Sequence, residues 1–240
     1  MADLIFSIET LPTVTAYDSE SELLNPALFI AIAAEGQEEI LYVEELEKLV
    51  KKYSSDINII ILNKFYARMK DAISLSHPSH RYELIEKWRE YYSQKCGITE
   101  NDEEWLICDR DNQSFLPEQY DVFVELQRNN SRFHFIVSNP AFQLWLLLHF
   151  TDSIPVHDIE QHEFCRDRIK EIEKILKENY VSDYVHGSLD WDKYKDHVRD
   201  AISNSQQYSA LSVDDLKDKT GSHLYKLLEF IEDKLGKKVF

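Results

Sequence analysis

Trp105-Leu106-Ile107-Cys108-Asp109-Arg110-Asp111 (WLICDRD) is a short apolar run that ends in two aspartates one residue apart. The pattern predicts a buried strand carrying acid at its C-terminal end. Side chains alternate along a strand, so Asp109 and Asp111 project to the same side. In open α/β sheets that edge is where ligands bind. Two carboxylates held so close repel each other, and a divalent cation relieves the conflict. Hard oxygen ligands suit Mg2+, Mn2+ or Ca2+ better than zinc. The plainer alternative is an Asp-rich turn in which Asp109 or Asp111 caps the next helix.

The flanking chain alternates strand and helix. Leu28 to Ala34 (LFIAIAA) is a continuous apolar run of the length of a strand buried on both faces. It ends in Glu35-Gly36, a second carboxylate at a strand end, with Gly36 read as permitting a sharp turn. A helix follows from about residue 38 to 53, with Ile40, Leu41, Val43, Leu46, Leu49 and Val50 at helical spacing. Ile57 to Leu62 (INIIIL) reads as another strand. Residues 63 to 80 are less regular, with Pro78 ending a helix over 66–75. A second amphipathic helix covers 82–94. Pro117 opens a helix to about residue 127, and Phe133 to Val137 (FHFIV) is the fourth strand. This alternation is the signature of βαβ units and a mostly parallel sheet.

After that strand, Ser138-Asn139-Pro140 reads as a break and cap, and Ala141 to Phe150 (AFQLWLLLHF) as an apolar core helix. From Asp158 the chain looks all-helical, over about 158–179, 190–204 and 221–235. The expected organisation is an N-terminal extension (1–27), an α/β domain (28–150) and a helical region packed on it (151–240).

The 240 residues suffice for a sizeable core, and 43% hydrophobic with 30% charged residues is ordinary for a globular protein. The three cysteines (Cys96, Cys108, Cys165) are scattered and fit reduced thiols. No signal peptide is read at the N-terminus, where Asp3, Glu9 and Asp18 replace a basic region. The longest apolar runs fall far below the ~20 residues that span a bilayer, so a cytoplasmic chain without membrane contact is expected. The formal net charge of −17 argues against an unaided grip on nucleic acid, which needs a basic face. Chemistry on phosphodiesters would require bound metal, a local basic groove or a partner. Gly36 aside, nothing resembles a phosphate-cradling glycine loop, which excludes an intrinsic P-loop ATPase.

A parallel sheet can bring Glu35, Asp109 and Asp111 to one edge within reach of a common ion. Glu39, one helical turn after Glu35, is a candidate further ligand; equally, it reads as an exposed acid favourable at a helix N-terminus. Phosphoryl transfer uses such ions to neutralise phosphate and activate water. His149, on an apolar helix, reads as a hydrogen-bonded core histidine rather than a ligand.

Glu35-Gly36 after one buried strand and Asp109-x-Asp111 after a later one resemble the Toprim domain of topoisomerases, primases and OLD-family nucleases, in which these acids bind magnesium. The run Ser138 to Phe150 (SNPAFQLWLLLHF) resembles the hallmark of the RloB-like family, Toprim-type proteins associated with prokaryotic defence and abortive infection. Lys219 to Tyr225 (KTGSHLY) resembles that family's Thr-containing segment before a final helix. Two departures stand out: Gln143 occupies a position where the family usually has glutamate, and the family's Thr-Glu soon after the first motif is absent. Glu39 instead matches an OLD-like spacing.

The resemblance implies an α/β, Toprim-like sheet flanked by helices, and a Mg2+- or Mn2+-dependent nuclease. Glu35, Asp109 and Asp111 would be its catalytic residues, and the same three with Glu39 its metal ligands. It further implies a nucleic-acid substrate (RNA, including tRNA, or DNA) and an AAA/ABC-type ATPase partner, and leaves oligomer formation open. The competing expectation is a catalytically weak Toprim-like module that docks such an ATPase. A phosphohydrolase of the haloacid dehalogenase type also uses Asp-x-Asp. It ranks last, because Gln113 stands where that class expects Thr or Val.

Overall fold

The computed structural model describes residues 28–67, 78–95, 99, 101–110 and 115–240. The expected extension over 1–27, Asp111 and Cys96 lie outside these. Four parallel strands form the body of one sheet: β1 (Leu28–Ala34), β2 (Ile57–Ile61), β3 (Glu103–Asp109) and β4 (Phe133–Asn139). A two-residue strand, β5 (Gly221–Ser222), closes the edge antiparallel to β4, giving the order β2-β1-β3-β4-β5. The α/β class and mostly parallel sheet expected from the alternation are what the chain adopts.

Side-chain alternation divides the sheet into two cores. On one face Ile30, Ile32 and Ala34 of β1 join Trp105 and Ile107 of β3 and Ile136 of β4. These pack on α1 (Gln37–Lys51), α5 (Gln143–Leu148), α6 (Val156–Glu160), α7 (Cys165–Asn179), α8 (Val198–Ser205) and α9 (Tyr225–Leu235). On the other, Phe29, Ala31 and Ala33 join Leu106, Cys108, Phe135 and Val137 under α3 (Pro78–Lys95) and α4 (Pro117–Asn129). Strands covered on both faces have no polar side, which is why they read as unbroken apolar runs.

The six residues of α5 are all buried. A helix this short is not stable by itself; burial of Leu144, Leu146, Leu147 and Leu148, each contributing about 1.5–3 kcal/mol, holds it. The helices beyond residue 150 complete this same core, so the expected helical region packs on the α/β body.

Several expectations are corrected. Pro78 begins α3, because the first helical turn needs no N–H from its residue; the 66–75 helix it was expected to end lies outside the described residues beyond Ala67. The helix α2 covers Leu62–Ala67. Asn139 caps nothing: it is the last residue of β4, and its side-chain amide donates to the Leu216 carbonyl at 2.9 Å. The tail is not all-helical, since it supplies β5, where the Ser222 and Ser138 hydroxyls meet at 2.8 Å. Two residues are too few to show a period of two.

Candidate functional site

The chain leaves β1 into α1 on one face of the sheet and leaves β3 towards α4 on the other. Adjacent parallel strands whose exits diverge open a crevice at their C-terminal edge. Glu35 and Asp109 stand on its two sides. The Glu35 amide continues the ladder, donating to the Ile107 carbonyl at 3.0 Å. Its carboxylate accepts from the Asp109 amide at 3.1 Å. Asn63, just past β2, brackets the preceding peptide: it accepts from the Ala34 amide at 2.9 Å and donates to the Ala34 carbonyl at 2.7 Å. The end of β1 is thus fixed from both neighbouring strands.

Glu39 is the third residue of α1, and the structure corrects the exposed-acid alternative, for it is 3% exposed. Its carboxylate folds back over the helix N-terminus, where its own amide and that of Gly36 act in favour of its charge. A Cβ built on Gly36 would lie 2.4 Å from Glu39 Oε2. Glycine therefore leaves room for that carboxylate and is not demanded by the turn, because its φ of −106° is open to any residue. Burial, with the negative charge of Glu35 and Glu38, pushes Glu39 up to about 8, and its Oε1 is buried with no partner.

Asp109 shares the parity of Trp105 and Ile107 and faces the α1–α5 side. Burial, then repulsion from Glu39 and Glu35, holds its pKa well above the carboxylate range, with the Phe142 amide acting the other way. Its Oδ1 is also buried without a partner. Asp109 caps no helix: α4 starts at Pro117, and there Gln119 Oε1 accepts the Leu116 amide at 3.1 Å.

Glu35, Glu39 and Asp109 are therefore brought together. Each carboxylate leans on backbone amides rather than on a common point. Among the described residues no three His, Cys, Asp or Glu side chains are grouped to hold an ion as they stand. The donor chemistry nevertheless fits a hard divalent cation: oxygen ligands only, two of them buried and unpartnered, with pKa values raised by burial and then by mutual repulsion.

Gln143 lies beside the cluster. Its side-chain amide donates to Glu38, which also accepts from the Tyr184 hydroxyl at 2.7 Å. Desolvation raises the Glu38 pKa, and these two bonds oppose the rise. Gln143 Nε2 lies 3.4 Å from His186 Nδ1, which meets Glu173 at 2.8 Å. The tail beyond residue 150 thus reaches the site's helix through Tyr184 and His186. His149 is a core residue, as expected: Nδ1 donates to the Trp145 carbonyl at 3.0 Å, Nε2 accepts from Tyr42 at 3.1 Å, and burial lowers its pKa to about 3.

Sequence reasoning missed Asn63, Tyr184, His186 and, above all, Arg81 in the first turn of α3, whose guanidinium donates to the Glu35 carbonyl at 2.6 Å. None sits in a recognisable motif; the fold alone delivers them. A cavity of about 490 Å³ lined by Leu28, Tyr53, Asp56, Asn101 and Lys234 lies at the opposite edge of the sheet and shares no residue with this cluster. Among the described residues, no helix is long and apolar enough to cross a membrane.

The family model described as RloB-like protein matches residues 30–231, from β1 into α9. No curated protein and no solved structure matches the chain.

Proposed function

This chain belongs to the RloB-like family, and from that premise we propose that it is a Mg2+- or Mn2+-dependent Toprim-type nuclease. Its substrate is the phosphodiester backbone of RNA, including tRNA, or of DNA. The observation that carries the reading is the pair of unpartnered, buried carboxylate oxygens on Glu39 and Asp109, beside Glu35 at the divergence of β1 and β3. Uncompensated buried acids are costly, and a hard cation offsets that cost.

In this reading Asp109 and Glu39 hold the metal, with Glu35 and Asp111 as further ligands. Bound there, the ion would supply Lewis-acid polarisation of the phosphoryl group and charge neutralisation. Glu35, whose carboxylate is held by the Asp109 amide, accepts the proton of the attacking water. Asn63 and the Asp109 amide hold Glu35 in place, so positioning is prepaid by the sheet. A chain of net charge −17 has little general attraction for nucleic acid. We therefore assign delivery of the substrate to an AAA/ABC-type ATPase partner, in the setting of an anti-phage defence system.

A second reading, an interaction module docking that ATPase without cleaving, draws on the neutral Gln143 bonded to Glu38. The test is metal-dependent cleavage of RNA and DNA by the purified full chain, with Asp109→Ala as control. Cleavage lost in the variant supports the nuclease. No cleavage of either polymer in millimolar Mg2+ or Mn2+, alone or with the partner, leaves the module.

A further inference from the structure

The carboxylate cluster has a cationic neighbour that is also incompletely satisfied. Arg81 is 7% exposed, and a guanidinium keeps its charge when buried. One amino group donates to the Glu35 carbonyl at 2.6 Å, which pins the side chain at the C-terminal edge of β1. Its Nε–H is buried with no acceptor. The carboxylates acting on it are those of Glu35 and Glu39, with the Cys108 thiol also nearby. The supporting helix is firmly placed, because Arg89 of α3 grips the buried Glu104 of β3 through two nitrogens, one at 2.7 Å.

Arg110, the other buried arginine at this edge, is used differently. It donates to the Lys217 carbonyl at 3.0 Å and the Phe115 carbonyl at 2.8 Å, and lies over the Tyr120 ring. Its donors tie loops together. Arg81 makes one such tie and keeps an unfilled donor among acids.

An orphan donor on Arg81, close to the charges of Glu35 and Glu39, and orphan acceptors on Glu39 and Asp109 therefore stand unpaired around the C-terminal ends of β1 and β3. A cation alone would satisfy the carboxylates and leave Arg81 wanting. An anion alone would satisfy Arg81 and worsen the repulsion among the acids. A phosphoryl group carried on a divalent cation satisfies both, because the fork of a guanidinium matches phosphate oxygens. We propose that Arg81 is a substrate-binding residue whose Nε–H takes a non-bridging phosphoryl oxygen, so that the crevice is built for a metal-bound phosphate. The inference deepens the nuclease reading and rests on it for the cation.

Inorganic phosphate is the probe, titrated into the full chain at millimolar MgCl2 and followed by thermal unfolding, with MgCl2 alone as reference. Phosphate should raise the midpoint of the wild type by mass action. Arg81→Gln should weaken that response about tenfold or more, as loss of a charge-assisted hydrogen bond requires, while keeping the response to MgCl2 alone. Arg81→Lys, which retains charge without the fork, should fall between, and its folding guards against a variant that simply fails to fold. Equal phosphate responses in wild type and Arg81→Gln would overturn the assignment. So would a wild type that answers Mg2+ but not phosphate, with the metal reading intact. A wild type indifferent to Mg2+ whose phosphate response still needs Arg81 would sink the metal reading and keep Arg81 as the phosphate anchor.

Discussion

The Glu35 carboxylate accepts the backbone amide of Asp109 at 3.1 Å, joining positions 74 residues apart. The bond spans a place where neighbouring parallel strands send their chains to opposite faces. It makes Glu35 a reporter of the β1–β3 register: a slip of either strand would remove its partner. It also brings a third charge to Glu39 and Asp109, so the site is electrostatically strained without a cation.

That strain sets a pH dependence. The Glu39 pKa rises from 4.5 to about 8 on folding, and that of Asp109 rises too. Below the unfolded value both states are protonated and no penalty exists. As pH climbs from about 4.5 to 8 the unfolded chain releases protons that the folded chain keeps, so stability falls, and the fall levels off above the folded pKa. Denaturant unfolding of metal-free protein should show this decline, and Glu39→Gln should flatten it. A wild-type profile that rises over this window would refute the electrostatic account.

Gly36 gives a steric test. Its backbone suits alanine, so Gly36→Ala should change stability by no more than about 1 kcal/mol. The new methyl would meet Glu39 Oε2 and push the carboxylate from its seat. The unfolding midpoint should hold while the response to Mg2+ weakens; an unchanged metal response would mean that Glu39 is not a ligand.

Asn63 has no acidic role and tests the scaffold. Asn63→Ala leaves the Ala34 amide and carbonyl without their bracket, at a cost of about 2–4 kcal/mol for two buried backbone groups. A loss well under 1 kcal/mol in urea unfolding would show that the end of β1 is held by the ladder alone.

How much of this was legible follows from burial. The runs 28–34, 57–61 and 133–137 announce themselves because both faces of each strand are covered. Acids after such runs therefore stand out, which located Glu35 and Asp109. Glu39 was visible only as a candidate, since nothing local distinguishes a buried N-terminal acid from an exposed one. Arg81, Asn63 and Tyr184 had no local signal. Each is an ordinary residue in its own segment and matters only through a partner 29 or more positions away. Lys219 to Tyr225 was noticed as a motif, yet its two strand residues carry no period.

Gln143 now has a defined partner, which sharpens the consequence of restoring an acid. Gln143→Glu would set a carboxylate against Glu38, replacing a donated hydrogen bond with repulsion. Metal-free protein should lose stability, more at pH 8 than at pH 5. If the new acid reaches the metal, saturating Mg2+ should recover more stability than in the wild type; equal recovery would make Gln143 a partner of Glu38 alone.

The most discriminating change is Asp109→Asn, because the two possible roles of Asp109 predict opposite signs. A buried acid that served the fold would be missed, and its neutral amide would destabilise the protein. An acid kept for a cation instead burdens the metal-free fold with desolvation and repulsion from Glu39 and Glu35. Asparagine keeps the shape, removes the charge and leaves the Asp109 amide free to hold Glu35. Metal-free Asp109→Asn should therefore be more stable than the wild type at pH 8, by about 0.5–2 kcal/mol, with the gain shrinking towards pH 5. The same variant should lose the thermal response to Mg2+ and any cleavage activity. Stability gained where function is lost marks a residue retained for its chemistry. A variant destabilised at both pH values, with its Mg2+ response intact, would assign Asp109 to the scaffold and remove the principal ligand from the proposed site.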